Sequence, residues 1–419
     1  MTDATATPGQ DIHSDYVARR RRQRYAADGR LRLYGIVAIL SAVGLLAVLL
    51  ITLVMGGYQA FVQTHVRINF PISAEHIQQD DLNKSNWRAI VSAGVKQIFP
   101  DLSGPDLRDA GKILTNNTQF FVRDAVVRDP SLIGKSVTLE IPVSDPFDQL
   151  NKGVISRDTP EGSRRVTDQE IAWFDTLVSE GLISTPFNWG LIFNADSRFP
   201  ELAGLSGAIV GTFYAILVSF LISFPLEEFA PKNRWTDIVE VNINNLAAVP
   251  SIVFGLLGLA VFIQTFGLPR SAPLVGGLVL ALITLPTIII VTRNALKAVP
   301  PSIREAAFGM GASKHQVIMH HVLPLALPGI MTGTIIGLAH ALGETAPLLL
   351  IGMNAFITSP PGGVLDASTA LPTQIYIWAD SPERGFVSRT SAGILVLLGF
   401  LLLMNAIAIF LRQRLQRRW

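Results

Sequence analysis

The chain has 419 residues, of which 49% are hydrophobic, only 16% are charged and none is cysteine. A soluble domain carries about 25% charged residues, so a deficit gathered into a few uncharged runs marks a membrane protein rather than a large soluble core. The missing cysteine excludes disulfides, thiolate catalysis and cysteine metal sites, and the net charge of +2 conceals an uneven distribution along the chain.

Residues 1–32 form a polar, basic tail in which Arg19 to Arg22, Arg24 and Arg30 crowd ahead of the first apolar run. A nucleic-acid-binding arm is one reading of such a block. Beside an apolar run, a cytoplasmic topology anchor is the better one, each near-surface charge contributing ~1 kcal/mol on anionic lipid. The run at 33–58 exceeds the roughly 7–15 residues of a signal-peptide core and has no small-residue cleavage site. It is expected to be an uncleaved first transmembrane helix with its N-terminus inside.

Residues 59–200 have soluble composition. Apolar spacing predicts helices over 83–99 and 103–127. The alternation SVTLEIPV (136–143) predicts a strand closed by Pro142 and Pro146. Thr167 and Glu170 form a capping box for a helix that Gly181 can end. The block reads as a small α+β domain with its own core, placed outside the cytoplasm by the orientation of the first helix.

Five more apolar segments follow, at about 204–224, 246–266, 273–293, 328–352 and 389–411. Each reaches the ~20 residues needed to cross a bilayer. Six crossings from an inside N-terminus put 225–245, 294–327 and 412–419 in the cytoplasm. These stretches hold Lys232, Arg234, Lys297, Arg304, Lys314, Arg412, Arg414, Arg417 and Arg418, whereas the short outside connections hold mainly Arg270 and Arg384. The asymmetry agrees with the positive-inside rule. The chain is therefore expected to be an α-helical, multi-pass membrane protein with both termini cytoplasmic and an α+β domain inserted between helices 1 and 2.

No catalytic constellation stands out. There is no G-x-x-x-x-G-K-[ST] phosphate loop, no H-E-x-x-H and no G-x-S-x-G. His320 and His321 are adjacent and so do not share a helix face as a metal pair requires; they read as solvated loop residues. No cofactor or metal is called for.

The loop EAAFGMGASKHQVIMHHVLP (305–324) is more informative. Residues 302–308 suit a short helix. Gly309 and Gly311 then allow a turn that bulkier residues resist, 312–322 can resume as helix, and Pro324 and Pro328 are expected to end it before the next span. Such a helix–Gly–helix knuckle at a membrane surface suits the transmission of a push from a partner. An interfacial amphipathic helix with no partner is the plainer reading, and the pattern alone leaves both open.

In its core the loop resembles the EAA loop of ABC-importer permeases: Glu305-Ala306-Ala307, then Gly309 and Gly311, then Leu323-Pro324. It departs at His321, where isoleucine is usual. AAVPSIVFGLLG (247–258) and ALGETAPLLLIG (341–352) extend the likeness, over roughly 204–411, to phosphate-transport permeases of the PstA-type half. The resemblance implies the six-helix ABC importer permease fold over 201–419, with 300–324 as coupling loop, in a bacterial inner membrane. It implies as partners a sister permease forming a heterodimer, a cytoplasmic ATPase dimer in which hydrolysis resides, a periplasmic phosphate-binding protein and inorganic phosphate. Nucleic acid is not among them. The 59–200 domain is not part of that core pattern, and the connection after Phe224 is short for it.

Four residues are candidates for the translocation pathway. Glu344 interrupts an apolar span, where a carboxylate costs at least about 2.5–3.5 kcal/mol; Gly343 and Pro347 flank it, so a kink is expected there. A structural Glu, protonated or arginine-paired, is the alternative. A lone carboxylate repels phosphate, so Glu344 is expected to hold a cationic partner rather than touch the anion. Arg293 is either an anion contact or a snorkelling side chain. His340, one turn before Glu344, and Thr345 complete the set. The rival functions are a membrane-anchored periplasmic sensor, with 59–200 as its ligand domain, and a permease for another oxyanion.

Overall fold

In a computed structural model the described residues are 9–78, 81–223 and 245–415. The connection after Phe224, with Lys232 and Arg234, and the terminal Arg417 and Arg418 lie outside them. The chain divides into two compact units, Met1–Met55 and Gly56–Trp419. The first is helical: α1 (Gly9–Gly57) starts ahead of the apolar run and carries the arginine block in the same helix.

The second unit opens with the α+β domain. Its sheet has the order β2-β1-β3 and is antiparallel throughout, with β1 His65–Pro71, β2 Ser136–Pro142 and β3 Ile183–Ser184. Alternate residues of β1 (Val66, Ile68 and Phe70) are buried, as the two-residue period of a half-covered strand requires. They face α2 (Trp87–Ile98), capped by the Asn86 side chain. The predicted helix over 103–127 is two helices, α3 (Gly104–Gly111) and α4 (Thr118–Arg128). Between them the backbone turns into the sheet, where Leu114 bridges Val143 and the Thr115 N–H donates to the Pro142 carbonyl. α5 (Asp145–Asn151) follows β2, and α6 (Asp168–Ser179) opens on the expected Thr167–Glu170 capping box and is followed by Gly181 at φ 68°. Phe147 of α5 and Phe174 of α6 meet in the core. A short helix, α7 (Gly190–Phe193), leads to the membrane part.

There the helices are α8 (Ser206–Ser223), α9 (Ser251–Leu257, widening to a π-helix through Thr265), α10 (Pro273–Lys297), α11 (Pro301–Gly309), α12 (Lys314–Gln316), α13 (Leu323–Gly343), α14 (Ala346–Leu350), α15 (Leu371–Ala379) and α16 (Gly385–Leu415). Among the described residues four helices are long and apolar enough to cross a membrane, within α1, α10, α12–α13 and α16, while α8 and α9 are apolar but shorter. The predicted span at 246–266 is interrupted: residues 245–247 are helical, the helix breaks at 248–250 ahead of and at Pro250, and it starts again at Ser251.

α10 is the hub, packed on both α8 and α13. Its contact with α13 rests on missing side chains. A Cβ at Gly329 would lie 2.6 Å from Ala295 Cβ, one at Gly333 2.6 Å from Val291 Cβ, and one at Gly337 3.2 Å from Ile288 Cγ1. Glycines four residues apart on one helix face let the two backbones approach closely, the small-residue packing that membrane helices use where water supplies no hydrophobic drive. Gly333→Leu is expected to force the pair apart and to destabilise the protein by about 1–3 kcal/mol. Thermal unfolding in detergent, compared with the exposed-site control Gly343→Ala, tests this; equal melting temperatures would remove the ladder from the argument.

Candidate functional site

The loop between α10 and α13 is built as a rigid knuckle. α11 takes Pro301 at its first turn, where the absent N–H costs nothing. The chain reverses at Gly311, whose φ of 82° disfavours any residue with a Cβ. It re-enters helix at Lys314 rather than at Ala312, because Ser313 caps it through a box with Gln316. Pro324 and Pro328 do not end this helix, which continues from Lys314 to Gly343. A π-helical turn over Val317–Val322 widens the backbone just ahead of Pro324, the kind of local adjustment that absorbs a proline in a membrane helix. His320 and His321 are therefore helical, not loop, residues. His320 Nδ1 lies 3.3 Å from the Gln316 carbonyl.

Ala307, Val317, Val322 and Ala326 form a small core under the knuckle, and Arg304 Nη2 donates to the Leu296 carbonyl at 2.8 Å, fastening α11 to the end of α10. The outer face is open: Glu305, Ala306 and Gly309 are exposed, as are the large apolar Phe308, Met310 and Ile318. Leu323 and Pro324 are half-buried at the start of α13.

The predicted kink at Glu344 is a full break. α13 stops at Gly343, Glu344 is extended (φ −77°, ψ 117°), and Thr345 leads into α14. The mostly buried Glu344 pairs with the more exposed His340, Nε2 to Oε1 3.0 Å, so the side chain it holds is a histidine of its own helix rather than an arginine. Arg293 is half-buried near the end of α10.

Residues 215–419 match the family described as binding-protein-dependent transport system inner membrane component. The phosphate transport system permease protein PstA of Haemophilus influenzae is 30% identical over 240 residues, 55% of this chain and 82% of that protein. The chain belongs to the ABC-transporter permease family. PstA 2 of Mycobacterium bovis is 31% identical over 281 residues, covering 61% of this chain and 91% of its own length. The probable ABC transporter permease protein YqgI of Bacillus subtilis is 30% identical over 199 residues, 45% of this chain and 65% of that protein, so the match spans less than two thirds of its length. Residues 18–161 match a domain of unknown function, DUF3333. The permease thus has the helical ABC importer fold with a small added sheet, and its family is one of transport components rather than enzymes.

Where the accessory domain meets the last span, the permease buries a charged cluster that the sequence reading passed over. Arg389, near the start of α16, is 5% exposed and donates through Nη1 to the Ala203 carbonyl at 2.5 Å. Asp145 and Asp148 of α5 and Glu201 supply the surrounding negative charge. Asp148 also holds Lys152 at 2.5 Å, and Glu201 accepts from Thr115 Oγ1 at 2.8 Å. Burial, reinforced by the Glu201 and Asp148 carboxylates and opposed by Arg389, pushes the Asp145 carboxyl up to about 6. Glu201 is raised too, again by burial first. The available signal was an arginine opening an apolar run.

An acid held above its ordinary value keeps its proton better folded than unfolded. Its stabilisation is therefore present at low pH and lost as pH rises through about 6. Between about pH 7.5 and about pH 5, wild type should gain ~1–1.5 kcal/mol relative to Asp145→Asn, the rest of the effect appearing only as pH falls toward the ordinary value of 3.8. Melting temperatures of both proteins in detergent across that range check it; parallel curves would show that Asp145 does not titrate there.

Proposed function

We propose that the permease is one half of the translocation pathway of an ATP-driven phosphate importer. A sister permease completes the pathway, an ATPase dimer docks on the 305–324 knuckle from the cytoplasm, and an extracytoplasmic binding protein delivers the anion. The observation that carries the reading is the knuckle itself. It joins the two helices locked by the glycine ladder, is stiffened by its own core, and presents Phe308 and Met310 beside Glu305 to a partner. Apolar side chains exposed on a structured polar loop fit a protein interface. An interfacial amphipathic helix would lie along the membrane surface and needs no capped reversal.

Phosphate is the substrate favoured by the PstA relatives. Glu344, His340 and Thr345, at the break in α13–α14, expose main chain at a depth where irregular backbone is tolerated only beside protein or a cavity. We place the pathway there, with Glu344 holding His340 in position and Arg293 as an anion contact nearer the cytoplasm. In this orientation the 59–200 domain is extracytoplasmic. The exposed Phe187, Trp189 and Phe193, the first pair edge-on and the second stacked, then lie near the outer interface, where aromatic rings concentrate.

Gly311→Pro replaces a φ of 82° by a ring fixed near −65° and is expected to abolish uptake and ATPase co-purification while leaving the protein in the membrane. Normal ATPase recovery in that variant would sink the coupling role. Labelled-phosphate uptake by cells lacking the chain should be restored by wild type and be unaffected by excess sulfate or molybdate. Competition by either would transfer the substrate to that oxyanion.

A further inference from the structure

A cavity of about 280 Å³ opens between α5, the 154–165 loop and the turn that precedes α16. Three guanidiniums border it, those of Arg164, Arg165 and Arg384, together with the hydroxyls of Thr159 and Ser163, and among the described residues no carboxylate lines it. Arg164 is fixed: Nε donates to the Val166 carbonyl at 2.9 Å, Nη1 to the Arg157 carbonyl at 2.8 Å, and Nη2 rests against the Asp168 carboxylate. Arg165 pairs with Glu383. The exposed Arg384 has no side-chain partner among the described residues. Counting these pairs, one positive charge is left over at the mouth.

Guanidiniums from two chain segments, with hydroxyl donors in the same cavity lining, suit a planar-forked grip on a tetrahedral oxyanion. The space holds such an anion with its nearest waters. The segments belong to different parts of the fold, because Arg164 and Arg165 lie in the accessory domain and Arg384 sits one residue before α16. Gln149, in the cavity wall, donates through Nε2 to Asp145 Oδ2 at 2.6 Å, so the wall is one hydrogen bond from the cluster around Arg389.

We propose that this cavity binds a phosphate-type oxyanion between Arg165 and Arg384, and that the bound anion ties the accessory domain to the last membrane helix. The oxyanion class follows from the lining; phosphate as the first probe rests on the importer reading. Free phosphate and a phospholipid headgroup offer the same chemistry.

The test is calorimetric titration of the full chain, purified in a phosphate-free maltoside detergent, with inorganic phosphate and separately with sulfate. Wild type should show saturable binding, Arg384→Gln should weaken it by about tenfold or more, and Arg157→Gln, whose partner is Asp175 outside the cavity, should not. The melting temperature should rise with phosphate in wild type and not in Arg384→Gln. Phosphatidylglycerol that competes with phosphate would identify a headgroup as the natural occupant; phosphatidylglycerol without effect would leave the free anion. No saturable binding by wild type, or undiminished binding by Arg384→Gln, would overturn the proposal. Because binding is read without transport, loss of uptake with binding intact would count against the importer reading alone.

Discussion

The close approach of α10 and α13 is the constraint on which the rest of the permease half depends. Gly329, Gly333 and Gly337 set that approach against Ala295, Val291 and Ile288, and the registers run in opposite directions along the two helices. In lipid there is no water to expel between helices, so van der Waals contact across a small-residue face has to supply the association. A pair held this closely moves as one body. The knuckle that joins its two ends therefore inherits a fixed orientation, and in the proposed coupling role a push on the loop would reach both helices rather than be absorbed by slack between them.

The same pair explains where the backbone yields. α13 is tight against α10 through Gly337 and loses regular structure soon afterwards, at Glu344, past the last rung of the ladder. At its other end the π-turn over Val317–Val322 takes up the strain of Pro324. The lever is thus a stiff centre with an irregular turn at each end. Irregular backbone at membrane depth needs polar company, and the His340–Glu344 pair supplies it beside the break. A helix-borne histidine does this without recruiting a side chain from another span.

Much of this was legible in the sequence because it depends on local chemistry. The capping box at Thr167, the strand at 136–143, the reversal at Gly311 and the interruption at Glu344 are each written within a few residues. Misjudged features were those decided at longer range. Residues 103–127 have an unbroken helical period, yet Leu114 and Thr115 are drawn into the sheet by Val143 and Pro142. Pro324 and Pro328 are helix breakers in water, but a membrane helix has no better place to put its backbone and bends around them. The arginines of the cavity come from positions over 200 residues apart in sequence, Arg165 and Arg384, and nothing local joins them.

Arg389 bears on how the accessory domain should be regarded. A guanidinium at 5% exposure is tolerable only while Asp145, Asp148 and Glu201 stand around it, and all three lie outside the helix that carries it. Removing the partners of a buried charge typically costs about 3–5 kcal/mol, a large fraction of the stability of a domain. Excising residues 60–195 would take away Asp145 and Asp148 together and leave Arg389 facing Glu201 alone. Loss of transport after such a deletion would then report a misfolded last span as readily as a missing regulator. Single substitutions at the cluster or the cavity leave the span its remaining partners, so they separate the two explanations where the deletion does not. The domain is in this sense an integral part of the permease: the last helix carries a charge that only the domain and its Glu201 border can bury.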